Sequence, residues 1–248
     1  MGRISKVRNV LAGIFGASIL CFALTLPRVG AQPPPSDVGL VTKLTGEVTY
    51  WNEGYQKTPA SAEGFMKVRK GDHFKVPAGG LMQLVYFQSS QQETWKGPAA
   101  FVVGDGRSQP EGEAKSQPEV IVLPPGAQQG IQRIPVLLRR AGLSRSGAMQ
   151  VRGVPRPEPR TSSAPPALTQ EEQAEIAVAR ETYQGMRKKA PADDVTAEMY
   201  FLGVLNDYEQ YEEMEKVLKE ALKKQPGNDL LKDLEKWVSA QKSKGSGK

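Results

Sequence analysis

The chain has 248 residues, 33 of them basic and 27 acidic, and is 39% apolar; this fits one large or two small folded domains and excludes a wholly disordered or collagen-like chain. Its single histidine and single cysteine leave one copy unable to assemble a His/Cys metal centre or a disulfide, and no metal or cofactor is expected. The 25 glycines and 19 prolines exceed average usage and mark part of the chain as linker.

Residues 1–31 read as an export signal. Arg3, Lys6 and Arg8 precede an uncharged run from Val10 to Leu26, Pro27 breaks the helix, and Val29-Gly30-Ala31 offers small residues to a signal peptidase. Cleavage is expected between Ala31 and Gln32, leaving a periplasmic or envelope-associated chain. The alternative is an N-terminal anchor in the inner membrane, since a run of 17 apolar residues lies at the lower limit for a span. Cys21 follows Leu20, where a lipoprotein signal needs a small residue, so it belongs to the apolar run. Removing Arg3, Lys6, Arg8 and Arg28 leaves 29 basic against 27 acidic residues, so the overall basic charge is no argument for nucleic acid, and no nucleic-acid partner is expected.

Residues 32–37 start with Gln32-Pro33-Pro34-Pro35-Ser36, a stiff polyproline spacer. Over residues 38–125, short apolar runs between glycine turns predict an all-β domain. Strands are expected at Leu40–Lys43, Glu47–Trp51, His73–Val76, Leu81–Phe87, Ala99–Val103 and Glu119–Leu123, with turns at Gly71-Asp72 and Ala78-Gly79-Gly80. Leu81–Phe87 is apolar on both faces, the mark of a central, covered strand. Residues 126–168 read as a basic, Pro-rich hinge, in which only Ile134 to Leu143 is apolar enough to pack on the β domain, as a strand or a helical turn.

Residues 169–242 predict a helical domain. Thr169 to Glu172 form a capping box, so a helix begins at Gln170 and carries the stripe Ile176, Ala179, Tyr183 and Met186. A second helix follows Pro191 with Phe201, Val204, Leu205 and Tyr208 on one face. A third carries Tyr211, Met214, Leu218 and Ala221 and stops at Pro226-Gly227; Asn228 caps a fourth, from Asp229 to about Gln241. Short turns between such helices imply an antiparallel stack. Residues 243–248 are expected to be disordered.

The β segment resembles the periplasmic FecR-type domain through Gly46-Glu47-Val48, the Gly71-Asp72 turn with His73–Val76, the turn Ala78-Gly79-Gly80, and Leu81–Phe87 followed by a second hairpin over Gln92–Val103. Ser89-Ser90-Gln91 departs from that family's usual Asp-Gly-Ser turn. The helical segment resembles a tetratricopeptide repeat (TPR) through Tyr211, Met214, Leu218, Ala221 and Pro226, with Leu202-Gly203 matching the repeat's Leu-Gly pair when the inter-helix turn is one residue shorter. These resemblances imply a multidomain chain: an antiparallel β sandwich or roll that acts as an envelope-facing binding module, followed by helices that dock proteins. Only nine residues precede the apolar run, which argues against signalling to a cytoplasmic sigma factor.

Each candidate site residue has a plain structural reading beside the functional one. Trp51, Tyr55 and Trp95 are a candidate stacking platform for a sugar ring, or ordinary core aromatics. Arg133, Arg139, Arg140, Arg145, Arg152, Arg156 and Arg160 share their segment with one acid, Glu158; they are candidate contacts for anionic lipid or acidic envelope polymer, or a solvated linker. Tyr200, Tyr208 and Tyr211 are candidate protein-docking residues, or seals between helices. His73 reads as structural. Glu171-Glu172, Asp193-Asp194 and Glu212-Glu213 are neighbours only in sequence, because adjacent helix positions diverge by about 100°. The function expected is therefore a non-enzymatic, exported envelope adaptor with a protein partner. Its alternatives are a self-associating, homo-oligomeric component of an envelope assembly and a carboxylate-only enzyme acting on polysaccharide.

Overall fold

The computed structural model describes residues 36–112, 116–143 and 168–246. Ten strands lie before residue 123 among these residues: β1 (Asp37–Thr45), β2 (Thr49–Asn52), β3 (Gln56–Ser61), β4 (Lys67–Arg69), β5 (His73–Val76), β6 (Leu81–Tyr86), β7 (Gln91–Lys96), β8 (Ala99–Val103), β9 (Ser108–Pro110) and β10 (Glu119–Val122). They form two sheets with the orders β10-β7-β6-β1-β4 and β3-β2-β5-β8-β9, and every pairing is antiparallel. The expected antiparallel β region is thus present, as a two-sheet sandwich. β1 starts at Asp37, the last residue assigned to the Pro-rich spacer.

β6 occupies the middle of the first sheet, as its two apolar faces predicted. Met82, Leu84 and Tyr86 point into the sandwich core with Phe74, Phe101 and Trp95. Val85 and Phe87 point the other way, into the helical core. Gly71 and Gly79 both take positive φ, 82° and 75°, a region glycine enters without steric cost. The expected hairpin over Gln92–Val103 is not one: β7 pairs with β6 and β10, whereas β8 pairs with β5 and β9. The chain changes sheets at Gly97, where a Cβ would lie 1.7 Å from the Pro77 carbonyl oxygen, so only glycine permits that close passage.

The helices are α1 (Ala127–Gln132), α2 (Ile134–Arg140), α3 (Gln170–Lys189), α4 (Thr196–Asp207), α5 (Tyr211–Lys224) and α6 (Asp229–Ser246). α3 begins as its capping box requires: the Glu172 N–H donates to Thr169 Oγ1 and the Thr169 N–H to Glu172 Oε2. Asn228 Oδ1 accepts from the Leu231 N–H at the start of α6. α6 runs to Ser246, so residues 243–246, expected to be disordered, are helical. α4 is buried from Thr196 to Asn206 on every side, where a single apolar face was expected; it is the central helix, in contact with α1, α2, α3 and α5.

α1 and α2 occupy residues expected to belong to the hinge. Ile131, Ile134, Leu137 and Leu138 are buried in the same cluster as Leu40 and Val85 of the first sheet. α1 meets α4 at a pair of glycines, where a Cβ on Gly203 would lie 1.9 Å from the Gly130 carbonyl oxygen. Sheets and helices belong to one compact unit. Among the described residues no helix is long and apolar enough to cross a membrane.

Candidate functional site

A cleft of about 930 Å³ opens where the sheets meet the helices. One wall is β1 and the segment from Ser61 to Arg69, the other α2 with Leu143, and the floor includes Asp193 and the α5–α6 turn. Half-buried Leu44, Met66, Leu143 and Leu230 give it apolar surface, while Lys67, Arg69 and Arg139 give its rim positive charge. Lys67 and Arg69 share a single acid, Asp37. The guanidinium of Arg69 also lies 4.8 Å from the ring centroid of Tyr55, close enough for a cation–π contact.

Behind the cleft, a buried polar network ties the two halves together. The carboxylate of Asp194, only 3% exposed, accepts from Gln92 Nε2 at 2.8 Å, from Gln83 Nε2 at 3.3 Å and from the Thr196 N–H at 2.8 Å. Gln83 Oε1 accepts in turn from Thr42 and Thr196. Lys43 pairs with Asp193 in the cleft and holds that carboxyl below its usual range. Lys224 Nζ donates to the Asp194 carbonyl and lies 3.0 Å from Glu198, which is fully buried and also faced by Arg187 at 3.3 Å. Asp193 and Asp194 sit in the α3–α4 loop rather than on a helix, yet they diverge as expected, one to Lys43 and one to the glutamines.

A second cluster lies at the Gly71-Asp72 turn. Asp72 is fully buried and accepts from Asn52 Nδ2, the Tyr55 hydroxyl and the Arg69 N–H. Burial pushes its carboxyl above the ordinary value, although each of these hydrogen bonds pulls the other way. His73 stacks on Trp51 at 5.0 Å, and its Nδ1 is 2.9 Å from Glu111.

Of the residues singled out from sequence, the structure brings Tyr55 and Arg139 together in the cleft. Trp95 is not part of a platform: it is fully buried, stacked on Phe101 at 4.3 Å, with Nε1 donating to Glu93. Trp51 is occupied by His73. Arg133 pairs with Asp207 at 3.1 Å, and Arg140 donates to the Asn206 carbonyl. Both place positive charge at the C-terminal end of α4, where the helix dipole favours it. Tyr200 is buried against Gly130 and so is closed to a partner. The Tyr208 hydroxyl donates to Glu175, whose carboxylate pushes it up to about 12, and Tyr211 meets Trp237 edge-on at 5.9 Å. Ala31, Gln32, Arg145, Arg152, Arg156 and Arg160 lie outside the described residues.

Lys43, Lys67, Asp193 and Lys224 were missed as cleft residues, because their convergence joins positions up to 181 apart in a sequence that carries no local mark of it. Among the described residues, no group of three His, Cys, Asp or Glu is placed to hold a metal ion. No protein family, curated protein or solved structure matches the chain.

Proposed function

We propose that this chain is a non-enzymatic, exported envelope adaptor, in which a FecR-like sandwich and TPR-like helices together bind a protein partner. The observation that carries this reading is the cleft itself. It combines apolar lining residues, Leu44, Met66, Leu143 and Leu230, with an excess of basic over acidic side chains, Lys43, Lys67, Arg69, Arg139 and Lys224 against Glu63, Asp193 and Asp229, a mixture that suits a polypeptide segment with apolar and acidic side chains. Neither Asp193 nor Asp72 is set up as the general acid of a hydrolase. Asp193 is held ionised by Lys43, whereas a general acid needs a raised pKa. Asp72, whose pKa is raised, is buried beneath Tyr55 with its oxygens already engaged.

The test uses the full chain with its own leader. Cell fractionation with mass spectrometry of the N-terminus should place it in the envelope, starting at Gln32. A photo-crosslinking side chain at Met66 or Leu143, both in the cleft, should give a discrete protein adduct. The same group at exposed Val178 of α3 should not. Recovery in the cytosol, or equal labelling at all three positions, overturns the reading.

A further inference from the structure

Among the described residues, β10 is an edge strand that no other element covers. It is bonded on one side only, to β7, and Val120, Ile121 and Val122 are 47%, 38% and 70% exposed. Its register explains why this is unusual. Val120 lies opposite Glu93 and Val122 opposite Gln91, and directly paired residues share a face of the sheet. The Glu93 side chain points into the sandwich, where it accepts from Trp95 Nε1 at 3.1 Å and the Ser108 N–H at 3.0 Å. Val120 and Val122 are therefore on the inner face. They are exposed because the second sheet stops at the three-residue β9, leaving a gap of about 440 Å³ lined by Val120, Glu93, Arg107, Pro110 and Pro118.

The other edges are guarded. β3 carries Lys57 and Pro59, β4 carries Lys67 and Arg69, and β9 ends in Pro110; charge and proline on an edge discourage strand addition. β10 has neither beyond Glu119, which is paired with Lys96. Its unpaired backbone N–H and C=O groups can be matched in full only by another extended strand.

We propose that this strand is a second copy of the same chain, with β10 pairing antiparallel to the partner's β10 about a two-fold axis at Ile121. A two-fold perpendicular to the sheet keeps inner faces on one side only if opposed residue numbers sum to an even value. Centring on Ile121 satisfies this and sets Val120 against the partner's Val122, so each inner-face valine covers another. It also sets Glu119 opposite the partner's Leu123 and keeps the two Glu119 carboxylates about 14 Å apart along the strands, so no like charges face each other. The contact joins two five-stranded sheets into one of ten. A strand pair this short buries less than the roughly 1,200 Å² of a standard stable interface, so the dimer forms in a concentration-dependent manner.

Sedimentation equilibrium of the full chain should show a monomer–dimer equilibrium, and Val122→Lys should raise its dissociation constant at least about tenfold with an unchanged far-ultraviolet circular dichroism spectrum. Association through any other part of the chain would survive that substitution. In a Cys21→Ser background, Ile121→Cys should form a disulfide-linked dimer on mild oxidation, because residues on the axis lie within disulfide reach, while Val178→Cys should not. A strict monomer at all concentrations, a dimer untouched by Val122→Lys, or equal cross-linking at residues 121 and 178 each overturns the proposal.

Discussion

The sandwich and the helical array close their cores differently. The cluster inside the sandwich, built around Trp95, Phe101, Phe74 and Met82, contains no helix residue. The helical cluster, by contrast, takes in Leu40, Phe65, Val85 and Leu123 from the β region. One half is self-sufficient and the other borrows the outer face of the first sheet. The borrowing follows from β6, which is apolar on both faces: once Met82, Leu84 and Tyr86 fill the sandwich, Val85 and Phe87 need a second cover. Burying a side chain of that kind contributes about 1.5–3 kcal/mol, against about 1 kcal/mol net for a typical hydrogen bond. Apolar contact therefore supplies most of the adhesion at the seam, and the Asp194 network fixes its register.

The sharpest way to break this asymmetry is to damage each core separately. Trp95→Ala should cost about 3–5 kcal/mol and, because the helices lean on the sheet, should raise hydrogen exchange in both halves. Leu218→Ala, at a fully buried position on α5, should cost about 2–5 kcal/mol yet raise exchange mainly in α4, α5 and α6. Equal spread of the two effects would mean that the halves stand or fall together. Next in size is Gly203→Ala. Its Cβ would meet the Gly130 carbonyl oxygen at 1.9 Å, backbone rather than a pliable side chain, so a loss of about 3 kcal/mol is expected. Thermal unfolding should report it, with exchange rising first in α1.

These positions also mark where sequence is informative. His73–Val76 and Ala99–Val103 are strands over the residues their patterns predict. The stripe Ile176, Ala179, Tyr183 and Met186 is the buried face of α3, because local periodicity is a direct imprint of one-sided burial. β7 was legible only as part of a hairpin that does not exist. Its buried Gln92 and Glu93, on opposite faces of the strand, look like surface residues until Asp194 and Ser108 arrive as partners from elsewhere in the chain. α1 was illegible for a similar reason: Gly126-Ala127-Gln128-Gln129-Gly130 has no cap signal, and Gly130 makes sense only beside Tyr200 of α4, whose carbonyl oxygen a Cβ at 130 would meet at 2.5 Å. Of the candidate site, Tyr55 and Arg139 were visible as residue types, but a cleft assembled from many separated segments leaves no periodicity to read.

Asp194→Ala tests the seam itself with a smaller effect. Removing the carboxylate strands the Gln83 and Gln92 amides and the Thr196 N–H in a buried setting, which costs about 1–3 kcal/mol. The expected outcome is a fall of that size in chemical denaturation, with both separate cores still cooperative. Asp194→Asn, which keeps an acceptor in place, should recover part of it.

The smallest expected effect separates the halves by pH. In the helical half, Lys219 and Lys242 hold Glu215 at about 2, Lys223 and Arg187 hold Glu220 low, and Lys43 holds Asp193 low at the seam. A carboxyl depressed in the folded state contributes stability that is present above its ordinary value of roughly 4.3 and is lost as pH falls through the folded value. Asp72 in the sandwich has the opposite sign: burial raises its pKa, so the cost of keeping it ionised is relieved as pH falls. Acid should therefore loosen α5, α6 and the seam while sparing the Gly71-Asp72 turn. Hydrogen exchange compared at about pH 6 and pH 3 should show protection falling first in α5 and α6, and Glu215→Gln should flatten that dependence. Because the Glu215 pairs lie near the surface, added salt should weaken them. Loss of protection starting in β5 instead would reverse the sign argued for Asp72 and make the sandwich the half that yields first.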